Sequence, residues 1–237
     1  MDLQVGVKGS ARQMTQGDKR ETAPGYALFL DLTDQKVVIV GGGPVAQRKT
    51  KSLLSHGARV TVVAPVVTDC LRGLADAGDI TWLARTYQPG DLSDARLVFS
   101  ACGDPEANAR IKREAEASGA WLNVADDPSL CDFTVPSTLE RGALQIAVST
   151  SGCAPAEARR IRQQLESQFD QSWDAYLNLL RDVRELAKQQ IVANVQDRRA
   201  VLAAATDAGW RQRIAAGEKI DPAAALMEAA TIAGVSL

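Results

Sequence analysis

The chain has 237 residues, 46% of them hydrophobic and 24% charged, with a formal net charge of -2 at pH 7. That is the composition of a folded globular chain, with room for one sizeable domain and a smaller one. The near-neutral charge argues against a nucleic-acid binder, and no apolar run approaches the ~18 residues of a membrane span.

The stretch from Met1 to Thr22 is polar and lacks the apolar core of a secretory signal, so residues 1–24 read as a mobile leader and the location as cytoplasmic. Four cysteines, Cys70, Cys102, Cys131 and Cys153, form no C-x-x-C pair. Unpaired thiols suit a reducing compartment, and no structural zinc is expected. His56 is the only histidine, so a Ser-His-Asp or multi-histidine metal site is excluded within one subunit, and no resident metal is expected. Near a helix end, such a histidine more often complements the helix dipole than does chemistry.

A short apolar lead-in, Tyr26 to Leu32, and a turn at Thr33-Asp34-Gln35 precede the central feature. There the run Lys36-Val37-Val38-Ile39-Val40 enters Gly41-Gly42-Gly43-Pro44, and a helix is predicted from Val45 to His56. A β-branched run bounded by glycine reads as a buried parallel strand. The spacing Gly41-x-Gly43-x-x-Ala46 fits the dinucleotide fingerprint, with alanine at its third small position. Gly41 permits the turn, Gly43 lets a pyrophosphate approach the backbone, and Ala46 lets the helix pack closely. A helix N-terminus then offers unpaired N–H groups to the phosphates. A structural glycine turn is the plainer reading. The next strand, Arg59 to Ala64, completes a βαβ unit of about 30 residues and supplies the context the motif requires.

At the end of that second strand the positions read Ala64-Pro65-Val66, with neither the ribose-binding acid nor an arginine for a 2′-phosphate. A short helix follows over 68–77, strands over 80–85 and 97–102, and a helix over 105–118 opened by Pro105 and stopped by Gly119. A fifth strand, Trp121 to Ala125, runs into Asp126-Asp127-Pro128. This alternation predicts an α/β fold with a mostly parallel sheet, whose ligands gather at the strands' carboxyl ends. Gly41, Gly43, Pro44, Val45, Pro65, Val66 and Asp104 are the expected cofactor contacts. Asp126 is either a carboxylate beside the reacting ring or part of a turn before Pro128.

Strands are then expected over 133–137 and 144–149, joined through Leu139 to Gly142, followed by a small-residue loop and a helix over 155–168. Arg159, Arg160 and Arg162 on that helix could hold substrate carboxylates bidentately, or form a solvated basic face. From Phe169 onward the chain reads as helical. Phe169, Trp173, Tyr176, Leu177, Leu180 and Val183 make an amphipathic stripe, and two further helices are expected over 197–216 and 221–233.

Taken together, the sequence resembles the precorrin-2 dehydrogenase and sirohydrochlorin ferrochelatase family, including the N-terminal module of siroheme synthase. The matching residues are Val38 to Lys49, Gly57 to Pro65, Asn123-Val124-Ala125-Asp126, Phe133-Thr134-Val135-Pro136-Ser137, and Ile146 to Gly152 with Pro155. The resemblance spans residues 25–170, and the joint order of N-V-x-D, F-x-x-P-S and V-S-T-x-G-x-x-P is specific. It implies a Rossmann-like NAD-binding domain over 25–135, a dimerisation segment over 136–165 and a helical C-terminal domain over 166–237. It also implies a homodimer that oxidises precorrin-2 to sirohydrochlorin with NAD and, in many relatives, inserts Fe²⁺ or Co²⁺. The key aspartate of the family falls on Asp126 and a Ser/Thr on Thr150, while Arg141, Arg159 and Arg160 are candidates for the tetrapyrrole carboxylates. The stretch after Asp170 is too short for the methyltransferase domain of the fused relatives. A non-catalytic NAD-sensing module with a helical partner-binding tail is the competing reading.

Overall fold

The computed structural model describes residues 25–192 and 194–237; the expected leader over 1–24 lies outside them. The chain divides between Thr134 and Val135 into two compact units.

The first unit is a five-stranded parallel sheet with the order β3-β2-β1-β4-β5. Its strands are β1 (Lys36–Val40), β2 (Arg59–Val63), β3 (Ile80–Leu83), β4 (Leu97–Ser100) and β5 (Trp121–Val124). Val37 and Ile39 pack on one face beneath α1 (Pro44–Ser55) and α2 (Asp69–Asp76). Val38 and Val40 pack on the other, against α3 (Pro105–Ser118). Burial on both faces explains why Val37 to Val40 are all apolar rather than alternating. Val37, Val38 and Ile39 are fully buried, each worth ~1.5–3 kcal/mol relative to exposure. The open edge at β5 is covered by its own continuation. The Asp132 N–H donates to the Leu122 carbonyl (2.8 Å), the Leu122 N–H to the Asp132 carboxylate (2.9 Å), and Asn123 Nδ2 to the Phe133 carbonyl (3.0 Å). These contacts occupy strand-edge groups that would otherwise invite a foreign strand.

The second unit opens with a hairpin of β6 (Ser137–Arg141) and β7 (Leu144–Val148). This corrects the expected strand over 133–137. Pro136 has no N–H for a ladder, Phe133 packs edge-on against Phe99 of β4 instead, and the expected connector Leu139–Arg141 is itself strand, with Leu139 buried. Against the hairpin lies α4 (Pro155–Gln168). Helices α5 (Ser172–Gln190), α6 (Val195–Asp207), α7 (Trp210–Ala215) and α8 (Pro222–Ala233) follow. The single helix expected over 197–216 is broken, because Gly209 takes a left-handed conformation (φ 70°) and turns Trp210 into the core, where it is 1% exposed. The buried face of α5 is Tyr176, Leu179, Val183 and Ala187, so the stripe includes Leu179, while Leu177 and Leu180 are only partly buried. Among the described residues no helix is long and apolar enough to cross a membrane.

Candidate functional site

Register decides where the loops of the first unit meet. Leu83, Val63, Val40, Ser100 and Val124 form one row across all five strands. The loops that follow them therefore leave from a common carboxyl edge. The strand order reverses at β1, with β2 on one side and β4 on the other, which is where open α/β sheets bind ligands.

The three glycines at that edge have three different reasons. Gly41 has φ 127°, and a Cβ there would lie 2.4 Å from the Ala101 carbonyl oxygen. A Cβ on Gly42 would lie 2.0 Å from the Val66 carbonyl oxygen, and the Gly42 carbonyl accepts from the Thr68 N–H at 3.0 Å. Gly42 thus locks the glycine loop to the loop after β2, a role the fingerprint leaves blank; the signal was a glycine at the unspecified position between Gly41 and Gly43. Gly43 differs from both: its φ is -83°, and a Cβ there would meet nothing within 4 Å. Protein packing does not demand glycine there, whereas close approach of a ligand would.

Helix α1 starts at Gly43 with no side-chain cap and no acid in its first turn. Pro44 has no N–H and Gln47 makes the first intrahelical bond, to the Gly43 carbonyl at 3.0 Å. The N–H groups of Val45 and Ala46 are left pointing out of the helix end, suited to an anion. By contrast, Thr68 caps α2 and Asp104 caps α3. Asp104, an expected cofactor contact, has its Oδ1 engaged by the Glu106 and Ala107 N–H groups at 2.9 and 3.2 Å. Beyond β2, Pro65 and Val66 are exposed, Val66 at 72%. The Ala64 carbonyl is held by the Trp82 indole N–H at 2.9 Å.

On the β4 side, Ser100 Oγ donates to Asn108 Oδ1 at 2.6 Å, both residues being buried, with Cys102 Sγ 3.4 Å from the Ser100 hydroxyl. This small polar network ties the end of β4 to α3. Its sequence signal was a serine ending an apolar strand and an asparagine on a buried helix face. Beyond β5 the two aspartates part company. Asp127 Oδ1 accepts from the Ser129 N–H at 3.0 Å and the Ser129 hydroxyl at 2.5 Å, and so makes the turn. Asp126 is exposed at the carboxyl edge. Strands β1 and β5 are two spacings apart, ~10 Å, a separation that a dinucleotide centred on β1 can bridge. Lys49 on α1, absent from the expected site, lies 4.8 Å from the Phe99 ring centroid; burial pushes its ammonium below the usual lysine range, and Arg48 adds to this.

The expected substrate residues all fall in the second unit. The Thr150 hydroxyl accepts from the Ala154 N–H at 3.2 Å and closes the loop before α4. Arg141 donates through Nε to the Phe169 carbonyl at 2.9 Å, just past the end of α4, and through an Nη to the Glu140 carbonyl at 2.8 Å. Its charge complements that helix C-terminus, so its guanidinium has a local structural role. Arg160 pairs with Glu157 one turn away, and Arg159 is exposed. No group of three metal-ligating side chains occurs among the described residues.

A glycine loop at a topological switch point, an uncapped helix N-terminus and an exposed apolar platform beyond β2 define a dinucleotide-binding α/β unit. A family model for NAD(P)-binding domains matches residues 28–137, and one described as the central part of sirohaem biosynthesis proteins matches residues 141–168. The first match makes the dinucleotide a nicotinamide cofactor. The chain is 39% identical to a siroheme synthase of Xylella fastidiosa over 206 residues, 86% of this chain and 43% of that protein. With a siroheme synthase of Methylobacillus flagellatus it shares 38% over 178 residues, 75% of this chain and 38% of that one. A solved structure of SirC, a precorrin-2 dehydrogenase, superposes with a TM-score of 0.71 at 25% identity, covering 88% of this chain and 98% of that one. In sequence and fold the chain is similar to siroheme synthases and to a precorrin-2 dehydrogenase, and it carries the NAD(P)-binding and sirohaem-central segments in succession. It spans less than half the length of the siroheme synthases it matches.

Proposed function

We propose that the chain oxidises precorrin-2 to sirohydrochlorin with NAD⁺ as acceptor. The observation that carries this reading is Asp126, an exposed carboxylate two residues beyond the strand-end row, on the β4–β5 side of the switch point. A cofactor whose adenosine lies over Pro65 and Val66 has its nicotinamide on that side. A pure sensor needs no base there, which favours the enzyme over the NAD-sensing module.

The reaction removes two electrons and two hydrogens from the macrocycle. When bound, the nicotinamide supplies the acceptor for a hydride. The second hydrogen leaves as a proton, and Asp126 takes it or relays it to water. Gly43 gives the pyrophosphate room, the Val45 and Ala46 N–H groups bind it, and Pro65 and Val66 support the adenosine. Thr150, Arg159 and Arg160 are the proposed contacts for the many carboxylates of the tetrapyrrole, with Arg141 tying the preceding hairpin to the end of α4. NAD is preferred over NADP because Ala64 to Val67 contains no basic residue, and Arg85 is already paired with Asp91. Asp126 could equally take pyrrole protons during insertion of Fe²⁺ or Co²⁺ as substrate, which is the family's second activity.

In this reading residues 25–135 bind the cofactor, 136–165 pair two subunits of a homodimer, and 166–237 form the helical C-terminal domain. Cys70, Cys102, Cys131 and Cys153 form no disulfide, which fits a cytoplasmic enzyme. The test is NADH formation from anaerobically prepared precorrin-2, with sirohydrochlorin and metal in a parallel arm. NADH matched by sirohydrochlorin supports the proposal. Bound NAD without turnover in either arm supports the sensing module instead.

A further inference from the structure

Asp126 is exposed, and among the described residues no hydrogen bond or ion pair holds its carboxylate. A base must nevertheless come within hydrogen-bond reach, ~2.6–3.2 Å, of the proton it takes. The placement of this carboxylate therefore depends on the backbone to either side of it. On the inner side the Ala125 N–H donates to the Ser100 carbonyl of β4 at 2.9 Å. Because β5 is the last strand of the sheet, no further strand fixes its outer side.

There the Cys131 sulfur takes that role. It accepts from the Val124 N–H at 3.1 Å, and its thiol faces the Val124 carbonyl at 3.3 Å and the Asp127 carbonyl at 3.4 Å. The Asn123 amide adds a longer contact at 3.7 Å. The sulfur is itself held, because the Cys131 N–H donates to the Pro128 carbonyl at 3.2 Å and the next residue, Asp132, is bonded to Leu122. A half-buried cysteine most often only fills space. Here main-chain groups on both sides of Asp126 converge on one atom, which can donate and accept at once and so ties off the loop between them.

We propose that Cys131 is a positioning residue for Asp126, its thiol closing the 124–131 loop so that the carboxylate is presented in one place at the carboxyl edge. The inference rests on the proposed role of Asp126 and deepens it.

The test is a double-mutant cycle on the full chain, reading NAD Kd and the kcat and KM of NADH formation from precorrin-2 for Cys131→Ala, Asp126→Asn and the pair together. Cys131→Ala should lower kcat about tenfold, with NAD Kd and KM unchanged. In the Asp126→Asn background it should lower kcat no further, since the loop then has no base to place. Cys131→Val, which the extended backbone at this residue (φ -82°, ψ 137°) accepts, fills the space without donating or accepting. It should match Cys131→Ala, and it replaces that variant in the cycle if alanine unfolds the unit. Cys131→Ser keeps donor and acceptor and should recover most of the loss. Hydrogen exchange over residues 122–131, which needs no substrate, should quicken in the alanine and valine variants. Losses that multiply in the double variant, a serine variant no better than alanine, or unchanged exchange would each overturn the proposal. A slow Asp126→Asn beside an unimpaired Cys131→Ala would overturn the positioning role alone and leave the dehydrogenase intact. Wild-type turnover in Asp126→Asn would remove the base and this role with it.

Discussion

The α/β unit and the helical unit solve burial differently, and the difference separates what each position is for. In the first unit the sheet is covered on both faces, so nearly all polarity is driven to the strand ends. The proposed cofactor and base positions lie along one edge because the register of five strands delivers every loop there. In the second unit each helix buries one stripe, and polar atoms can be caught inside it. The unpaired indoles of Trp173 and Trp210 are the result. An edge site is therefore built from backbone geometry and tolerates few side chains.

The largest effect that sharpens this contrast is Trp210→Ala. Removing a fully buried indole should cost ~3–5 kcal/mol. Calorimetry should show a helical transition moving down while NAD affinity in the α/β unit holds. Gly42→Ala comes next, because its Cβ meets a backbone carbonyl rather than a flexible side chain. It should cost ~1–3 kcal/mol in denaturant melts and weaken NAD binding as the loop after β2 is pushed away.

Asp91→Asn tests electrostatics in the same unit. Its carboxylate accepts from both Arg85 Nη atoms at 2.6 and 2.8 Å and from the Gln88 N–H at 2.8 Å. The Arg85 hydrogen bonds, before the other causes, hold its pKa below the usual aspartate range. A folded pKa below the unfolded one gives stability that is complete above the unfolded carboxylate range. That stability is lost as pH falls through the folded value. Because Arg85 is partly exposed, the substitution should cost only ~1 kcal/mol at neutral pH. The acid limb of a stability-against-pH curve should become shallower. Gly43→Ala is the smallest in stability, within ~0.5 kcal/mol, since its Cβ enters open space. Its effect should appear instead as a raised Kd for NAD in titration, which reverses the order found at Gly42.

Much of the first unit was legible in the sequence because its signals are local. Pro105 and Gly119 bracket α3 at the expected residues, and Asp221 caps α8 as expected. Other features depended on contacts distant in sequence. That Gly42 matters through Val66, that Asp127 is spent on Ser129 while Asp126 stays exposed, and that Arg141 holds the Phe169 carbonyl are facts of tertiary position. The break at Gly209 was missed because the apolar periodicity continues through it, and only the burial of Trp210 shows what the left-handed residue achieves. The hairpin was misplaced because Phe133-Thr134-Val135 has strand-like composition, whereas packing on Phe99 and the missing N–H of Pro136 set its start later.

The central claim is that one edge of the α/β unit holds both the cofactor and the proton acceptor. It is tested most directly by Asp126→Asn, with NAD affinity and NADH formation from precorrin-2 measured on the same preparation. The account predicts an unchanged NAD Kd and a rate lowered ~10²–10⁴-fold. Turnover at the wild-type rate with NAD still bound would contradict it.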